Sequence, residues 1–296
     1  MGCAYEFRVG LGGARVVTLI RSLDSCRVTP GMKNGDTLEL DDIVDLESHP
    51  IEDEAFVALC EKKLEQNGVL VLEGFVTPQA LNGMLTEAED EAASAFFCTQ
   101  QHSVYLNPQN PKYDASHPAN RLVESSKGCI CDDQIPPTSP LRSLYDAEEF
   151  RSFIKGVTGE GALFPYADPL SSINVHYAKR GQELGWHFDN SSFAVTLLIK
   201  KPDAGSRFEY IKDLRDADAG EMNFEGVAAL LDGATTPEVL EIQPGDLVLF
   251  RGRNSIHRVS PNESDRTRIL AVLAYNSEPG VSLSESARMT FYGRLG

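Results

Sequence analysis

Between residues 170 and 276 the chain is cut into short apolar segments: SSINVHYAK (171–179), FAVTLLIK (193–200), RFEYIK (207–212), VLEIQ (239–243), DLVLF (246–250) and RILAVLAY (268–275). Each is too short for a stable helix and is flanked by Gly, Pro, Asp or Asn, the punctuation of strands joined by turns. Strands at this density bury their inner faces by closing into a β-sandwich or a jelly-roll barrel. The preceding sequence has another period. Ala55, Phe56, Leu59 and Leu64 recur at roughly helical spacing between Asp53 and Asn67, and Asn67-Gly68 supplies the stop. GVLVLEGF (68–75) predicts a strand. Thr77-Pro78 then caps a helix expected to run to about Phe97, and a further helix covers about Ala147 to Val157, ending at Gly159.

The expected fold class is therefore α+β, with N-terminal helices packed on a β core at about 165–280. Residues 99–143, rich in Pro, Asn, Asp and Ser, read as an irregular segment over a site, because long structureless stretches are uncommon in compact domains unless functional. No linker divides 32–296, which reads as a single domain, and 1–31 reads as an appendage. Its Gly10-Leu11-Gly12-Gly13 lacks the third glycine of a dinucleotide loop.

Charge and cysteine usage narrow the function. The net charge of -17 opposes binding to phosphate backbones, so a nucleic-acid partner is not expected. Nor is a membrane partner expected, for want of an apolar run long enough to span one. Six scattered cysteines without a C-x-x-C pair fit a reducing, cytoplasmic setting, and Cys129-Ile130-Cys131 reads as two small packed side chains. Oligomeric state is not legible.

The chemistry concentrates in GWHFDNSSF (185–193). His187 and Asp189, two apart on a strand, project from one face, while Phe188 projects from the other. Such a pair can bind one metal ion if a third ligand arrives from elsewhere. His257, delivered after the strand of DLVLF by a short loop, is the best candidate. Two histidines and one carboxylate form the facial triad that leaves open positions on non-haem iron(II). An H-x-D tripeptide alone is weak evidence, but Arg266 and Arg268 follow in DRTRILAVLAY, and a guanidinium at the head of an apolar strand suits a bidentate carboxylate partner.

His187-x-Asp189, His257 and the following arginine resemble the iron(II)/2-oxoglutarate-dependent oxygenases. The blocks SSKG, HFDNSSF, RFEY, FRGRNSIHRV and FYGR are similar to a bacterial branch that includes free-amino-acid radical halogenases. The resemblance implies a double-stranded β-helix of jelly-roll or cupin-like form. It implies iron(II), with 2-oxoglutarate and dioxygen as cosubstrates. Arg268, with Arg266 as the alternative, would pair with the far carboxylate of 2-oxoglutarate, and Tyr177 resembles a tyrosine that hydrogen-bonds it. On that reading His176, one position away, is packed or at the surface. The implied chemistry is decarboxylation to succinate, hydrogen abstraction from an unactivated carbon and hydroxyl rebound. Halogenases of this kind replace the carboxylate ligand with a small residue so that chloride takes its position; Asp189 therefore argues for hydroxylation. Arg121 and Tyr292 are the candidate contacts to a small-molecule substrate, a free amino acid or derivative. The competing readings are a peptide hydroxylase, which needs an open groove, and a non-catalytic jelly-roll binding module.

Overall fold

The computed structural model describes residues 38–296; the 1–31 appendage lies outside the described residues. In chain order the helices are α1 (Leu40–Ile43), α2 (Glu54–Asn67), α3 (Pro78–Asp90), α4 (Pro140–Asp146), α5 (Glu148–Thr158), α6 (Phe224–Leu231) and α7 (Glu285–Tyr292). The strands are β1 (Val69–Leu72), β2 (Phe96–Ser103), β3 (Leu122–Ile130), β4 (Ile173–Ala178), β5 (Leu184–His187), β6 (Ala194–Lys200), β7 (Phe208–Ile211), β8 (Glu238–Leu240), β9 (Leu247–Phe250), β10 (Ile256–Val259) and β11 (Arg268–Leu273).

Local chemistry sets the helix ends. The Asp53 carboxylate accepts from the Phe56 amide at 2.8 Å to start α2, and Gly68 ends it at φ 70°, a conformation that disfavours any side chain. Thr77 caps α3, with Pro78 in its first turn. That helix ends at Asp90, seven residues short of the expected limit, because Phe96 and Phe97 belong to β2.

The strands form one curled antiparallel sheet in the order β1-β9-β6-β11-β4-β3-β5-β10-β7-β8, with β2 paired to β3. This is the double-stranded β-helix. Its outer face carries Ile269, Ala271 and Leu273 of β11, Val175 and Tyr177 of β4 and Leu197 of β6, packed against Met84, Leu144, Phe150 and Phe153 of the helices. Each fully buried side chain of that size stabilises by about 1.5–3 kcal/mol, so this layer holds β4 and β11 rigidly under the site.

Two expectations are corrected. The core is not confined to 165–280, since β1 pairs with β9 from Val69↔Phe250 to Leu72↔Leu247 and β3 pairs with β4. Nor is 99–143 irregular throughout, because β2 and β3 make a hairpin running from Phe96↔Cys129 to Ser103↔Leu122, and α4 follows. Its strands read as loop because one face carries the polar residues Gln100, His102, Ser125 and Lys127 into a cavity and so lacks the usual apolar alternation.

Candidate metal centre

His187 ends β5 and stands directly across the ladder from His257 on β10. The pairing shifts register between His257 and Val259, an irregularity of the kind that re-aims side chains beside functional sites. Trp186 and Phe188, which alternate with His187, are buried with Tyr105, Val227, Leu230 and Ile256 under α6. Burying these two rings on one side leaves His187 and Asp189 to face the other. The Arg215 guanidinium stacks 4.1 Å from the Phe188 ring and donates to the Arg253 carbonyl at 2.8 Å, tying the loop before β10 to the end of β5.

The imidazoles are oriented by their own backbone. Nδ1 of His187 donates to the Gly185 carbonyl at 2.8 Å, and Nδ1 of His257 to the Ser255 carbonyl at 3.1 Å. Both bonds fix the tautomer that leaves the Nε2 lone pair free, the arrangement a metal requires. Burial, with His257 adjacent, holds His187 well below the ordinary histidine range and therefore neutral. Asp189 Oδ1 lies 3.6 Å from Nε2 of His187 and 3.7 Å from Nε2 of His257. Its Oδ2 is buried with no hydrogen-bond partner among the described residues. A largely enclosed carboxylate with no Lys or Arg ion pair among the described residues is costly in a finished protein, and a cation beside Oδ1 and the two Nε2 atoms would compensate it. Ligand atoms of the three residues all lie within 4.8 Å of one another. Two imidazole nitrogens and a carboxylate are a donor set for iron(II), so the residues present fit that ion.

Gly252 makes room for this carboxylate. Its carbonyl accepts from the Asp189 amide at 3.0 Å. A Cβ there would collide with Asp189 Oδ2, lying 2.6 Å from Asp189 Cγ and 2.9 Å from His257 Cε1.

The triad opens into a cavity of about 360 Å³. Phe208 stacks on His257 with centroids 5.5 Å apart, and Phe250 meets it edge-on at 4.8 Å, making one wall apolar. Arg268 heads β11 and lines the cavity; it is buried, and burial alone pushes its guanidinium down to about 10. It forms no ion pair with a described residue. An enclosed guanidinium without a protein acid suits a ligand carboxylate, so Arg268 and the triad together fit 2-oxoglutarate.

Of the other expected site residues only Tyr177 borders the cavity, and its hydroxyl turns away from it. Arg266 precedes the strand, half exposed, with Nη1 3.5 Å from Asp203 Oδ1. The parity of β4 is the reverse of that expected: Tyr177 pairs with Ile269 and faces the helices, its hydroxyl donating to the Ala88 carbonyl at 2.6 Å, while His176 pairs with Leu270 and lines the cavity. INVHYA has apolar residues on both phases, so alternation could not decide which faced inward. Arg121 lies outside the cavity, joining Asp232 at 2.5 Å and the Leu231 carbonyl at 2.9 Å at the end of α6. Tyr292 is buried among Cys129, Cys131 and Leu170, its hydroxyl donating to Asn174 Oδ1 at 2.8 Å, and its neighbour Phe291 lines the cavity instead. Sequence reasoning missed His102, Lys127 and Gly252; SSKG, noted only as a resembling block, contains Lys127.

The family model described as Halogenase D matches residues 52–290. Among solved structures, the non-heme alpha ketoglutarate dependent epimerase SnoN from nogalamycin biosynthesis superposes with a TM-score of 0.51 at 13% identity, covering 75% of this chain and 81% of that one. SnoN has also been solved with Fe3+, alpha ketoglutarate and nogalamycin RO. The alpha ketoglutarate dependent carbocyclase SnoK from the same biosynthesis gives 0.51 at 11% identity, covering 78% and 89%. At these identities the two structures show a shared fold. No curated protein sequence matches the chain. Among the described residues no helix is long and apolar enough to cross a membrane.

Proposed function

Because this chain belongs to the Halogenase D family of iron(II)- and 2-oxoglutarate-dependent oxygenases, we propose that its reaction is hydroxylation of an unactivated C–H bond in a small polar molecule, a free amino acid or close derivative. The observation that carries this reading is Asp189. Its carboxylate stands where a radical halogenase needs a vacancy for chloride, with Oδ1 turned to the Nε2 atoms of His187 and His257 and Oδ2 buried against Gly252 without a protein donor among the described residues.

In this reading His187, Asp189 and His257 hold iron(II), and Arg268 pairs with the far carboxylate of 2-oxoglutarate. Iron(II) held there would supply oxidising power from dioxygen, with 2-oxoglutarate as the co-reactant that ends as succinate and carbon dioxide. The chain's own residues do the rest. The Gly185 and Ser255 carbonyls hold the imidazoles in the ligating tautomer, and Gly252 keeps the carboxylate seated. Phe208 and Phe250 keep water from the histidine ligand they cover, which favours productive over idle oxidation. A cavity of about 360 Å³ suits a small substrate better than a peptide laid in a groove.

The test is succinate formation with iron(II), 2-oxoglutarate and the twenty amino acids, in wild type and His187→Ala. Stimulated succinate with a hydroxylated product, lost in the variant, supports the proposal. Wild-type protein that neither binds iron(II) nor consumes 2-oxoglutarate with any candidate would overturn it.

A further inference from the structure

Arg268 is not the only cation in the cavity. Lys127 enters from β3, and its Nζ lies 2.9 Å from Nε2 and 3.2 Å from Nδ1 of His176. The register that sets Gly128 opposite Tyr177 and Arg268 opposite Ala178 brings Lys127 and Arg268 to the two sides of Ala178, a residue with only a methyl group. Cys98 lies opposite Lys127 on β2. No carboxylate of a described residue pairs with the ammonium. Of the acids that line the cavity, Asp189 belongs to the ligand cluster, and Glu183 lies in the fields of Arg258 and Glu124. Enclosure holds Lys127 below the ordinary lysine range, and His176, well below its own, supplies no charge.

Charge balance then distinguishes the two cations. With iron(II) and 2-oxoglutarate in place, the two charges of the metal and the one of Arg268 are matched by Asp189 and the two carboxylates of the cosubstrate. The Lys127 ammonium is left over, in an enclosed site where an uncompensated charge is expensive. It also lies 5.8 Å from the ring of Phe291 on α7. Arg121, the anchor expected from the sequence, is engaged with Asp232 outside the cavity.

We propose that Lys127, backed by His176, anchors an anionic group of the substrate, a carboxylate, in a subsite separate from that of 2-oxoglutarate. This rests on the hydroxylase reading and adds that the substrate must be an acid. A substrate carboxylate offsets the Lys127 ammonium locally, and its hydrogen bond to an ammonium is of the stronger, charge-assisted kind.

The experiment uses the intact iron(II) protein without oxygen, reading the charge-transfer absorption of the iron(II)–2-oxoglutarate chelate. That band is titrated first with 2-oxoglutarate and then with the twenty amino acids and their carboxamides; succinate is measured separately in air. One or more acids should perturb the band while the matching amides do not. Lys127→Met should weaken that acid about 10- to 100-fold, the range expected for losing a hydrogen bond to a charged group. Its affinity for 2-oxoglutarate should stay within about threefold, whereas Arg268→Met should lose about 10- to 100-fold there. Lys127→Gln, which keeps a donor without the charge, should behave like Lys127→Met and guards against a packing defect in the first variant. Parallel loss of 2-oxoglutarate in the Lys127 and Arg268 variants would assign both cations to the cosubstrate and overturn the proposal. Amides that act as well as acids, or a panel in which no acid perturbs the band, would overturn it too. An acid that perturbs the band through Lys127 yet is never oxidised would sink the hydroxylase reading while leaving the anion subsite standing.

Discussion

Gly252→Ala tests how tightly the triad is built. A single methyl group there would occupy space held by Asp189 Oδ2, 2.6 Å from its Cγ and 2.9 Å from His257 Cε1. Neither neighbour can retreat freely. Asp189 is tied through its amide to the Gly252 carbonyl at 3.0 Å, and His257 through Nδ1 to Ser255 at 3.1 Å. Inserting a methyl group into packed surroundings costs about 1–3 kcal/mol, which for a domain of this size lowers the melting temperature by roughly 2–10 °C. Displacing the carboxylate should also weaken metal binding by about 10- to 100-fold, the scale of losses when a ligand's supporting groups are disturbed. Calorimetry on the metal-free protein gives the first quantity and equilibrium dialysis with iron(II) or manganese(II) gives the second. A cycle with Asp189→Ala assigns the cause: with no carboxylate to strike, Gly252→Ala should cost much less in the Asp189→Ala background than in wild type. Equal costs in both backgrounds, or wild-type metal affinity in Gly252→Ala, would refute the steric argument.

Arg266→Met should leave 2-oxoglutarate affinity within about twofold, since its partner Asp203 is a surface group and exposed ion pairs are worth little; a loss comparable to that of Arg268→Met in the same titration would contradict the separation. Tyr177→Phe removes a hydrogen bond to the Ala88 carbonyl and should cost about 0.5–1.5 kcal/mol by denaturant unfolding without weakening 2-oxoglutarate; weakened chelation with unchanged stability would return Tyr177 to the cavity. Enclosure lowers His176 well below its ordinary range, so the unfolded chain takes up a proton that the folded one refuses. Its contribution to stability is intact above about pH 6.5 and falls as pH drops below it, by at most about 1.4 kcal/mol per pH unit, with cavity water reducing the figure. His176→Gln should flatten that part of the stability profile, and an unchanged slope would show that His176 is not the group responsible.

The residues of the candidate triad were legible because they obey local rules. The two-residue period of a strand sets His187 and Asp189 on one face wherever β5 lies, and the turn-strand-loop pattern of GDLVLFRGRNSIH delivers His257 to a neighbouring strand. Strand density, the helical spacing that begins at Asp53 and the cap at Thr77 likewise announced an α+β chain with helices before a β core. What failed depends on phase and on distant partners. INVHYA is apolar on both faces, so only pairing with β11 decides that His176 looks inward and Tyr177 towards α3. The β2–β3 hairpin reads as loop because its inward face is polar, and a polar inward face makes sense only once a cavity exists to receive it. Arg266 and Arg268 have the same parity, yet only Arg268 lies within β11. Local propensity and periodicity, which act over a few residues, therefore determined most of the core strands and the N-terminal helices and made His187, Asp189 and His257 candidates. Tertiary structure alone decided which cations share an enclosed cavity, that Arg121 and Tyr292 stay out of it, and that Gly252 leaves space for a carboxylate. Each of these depends on backbones far apart in sequence meeting within a few ångströms, and no local pattern encodes that distance.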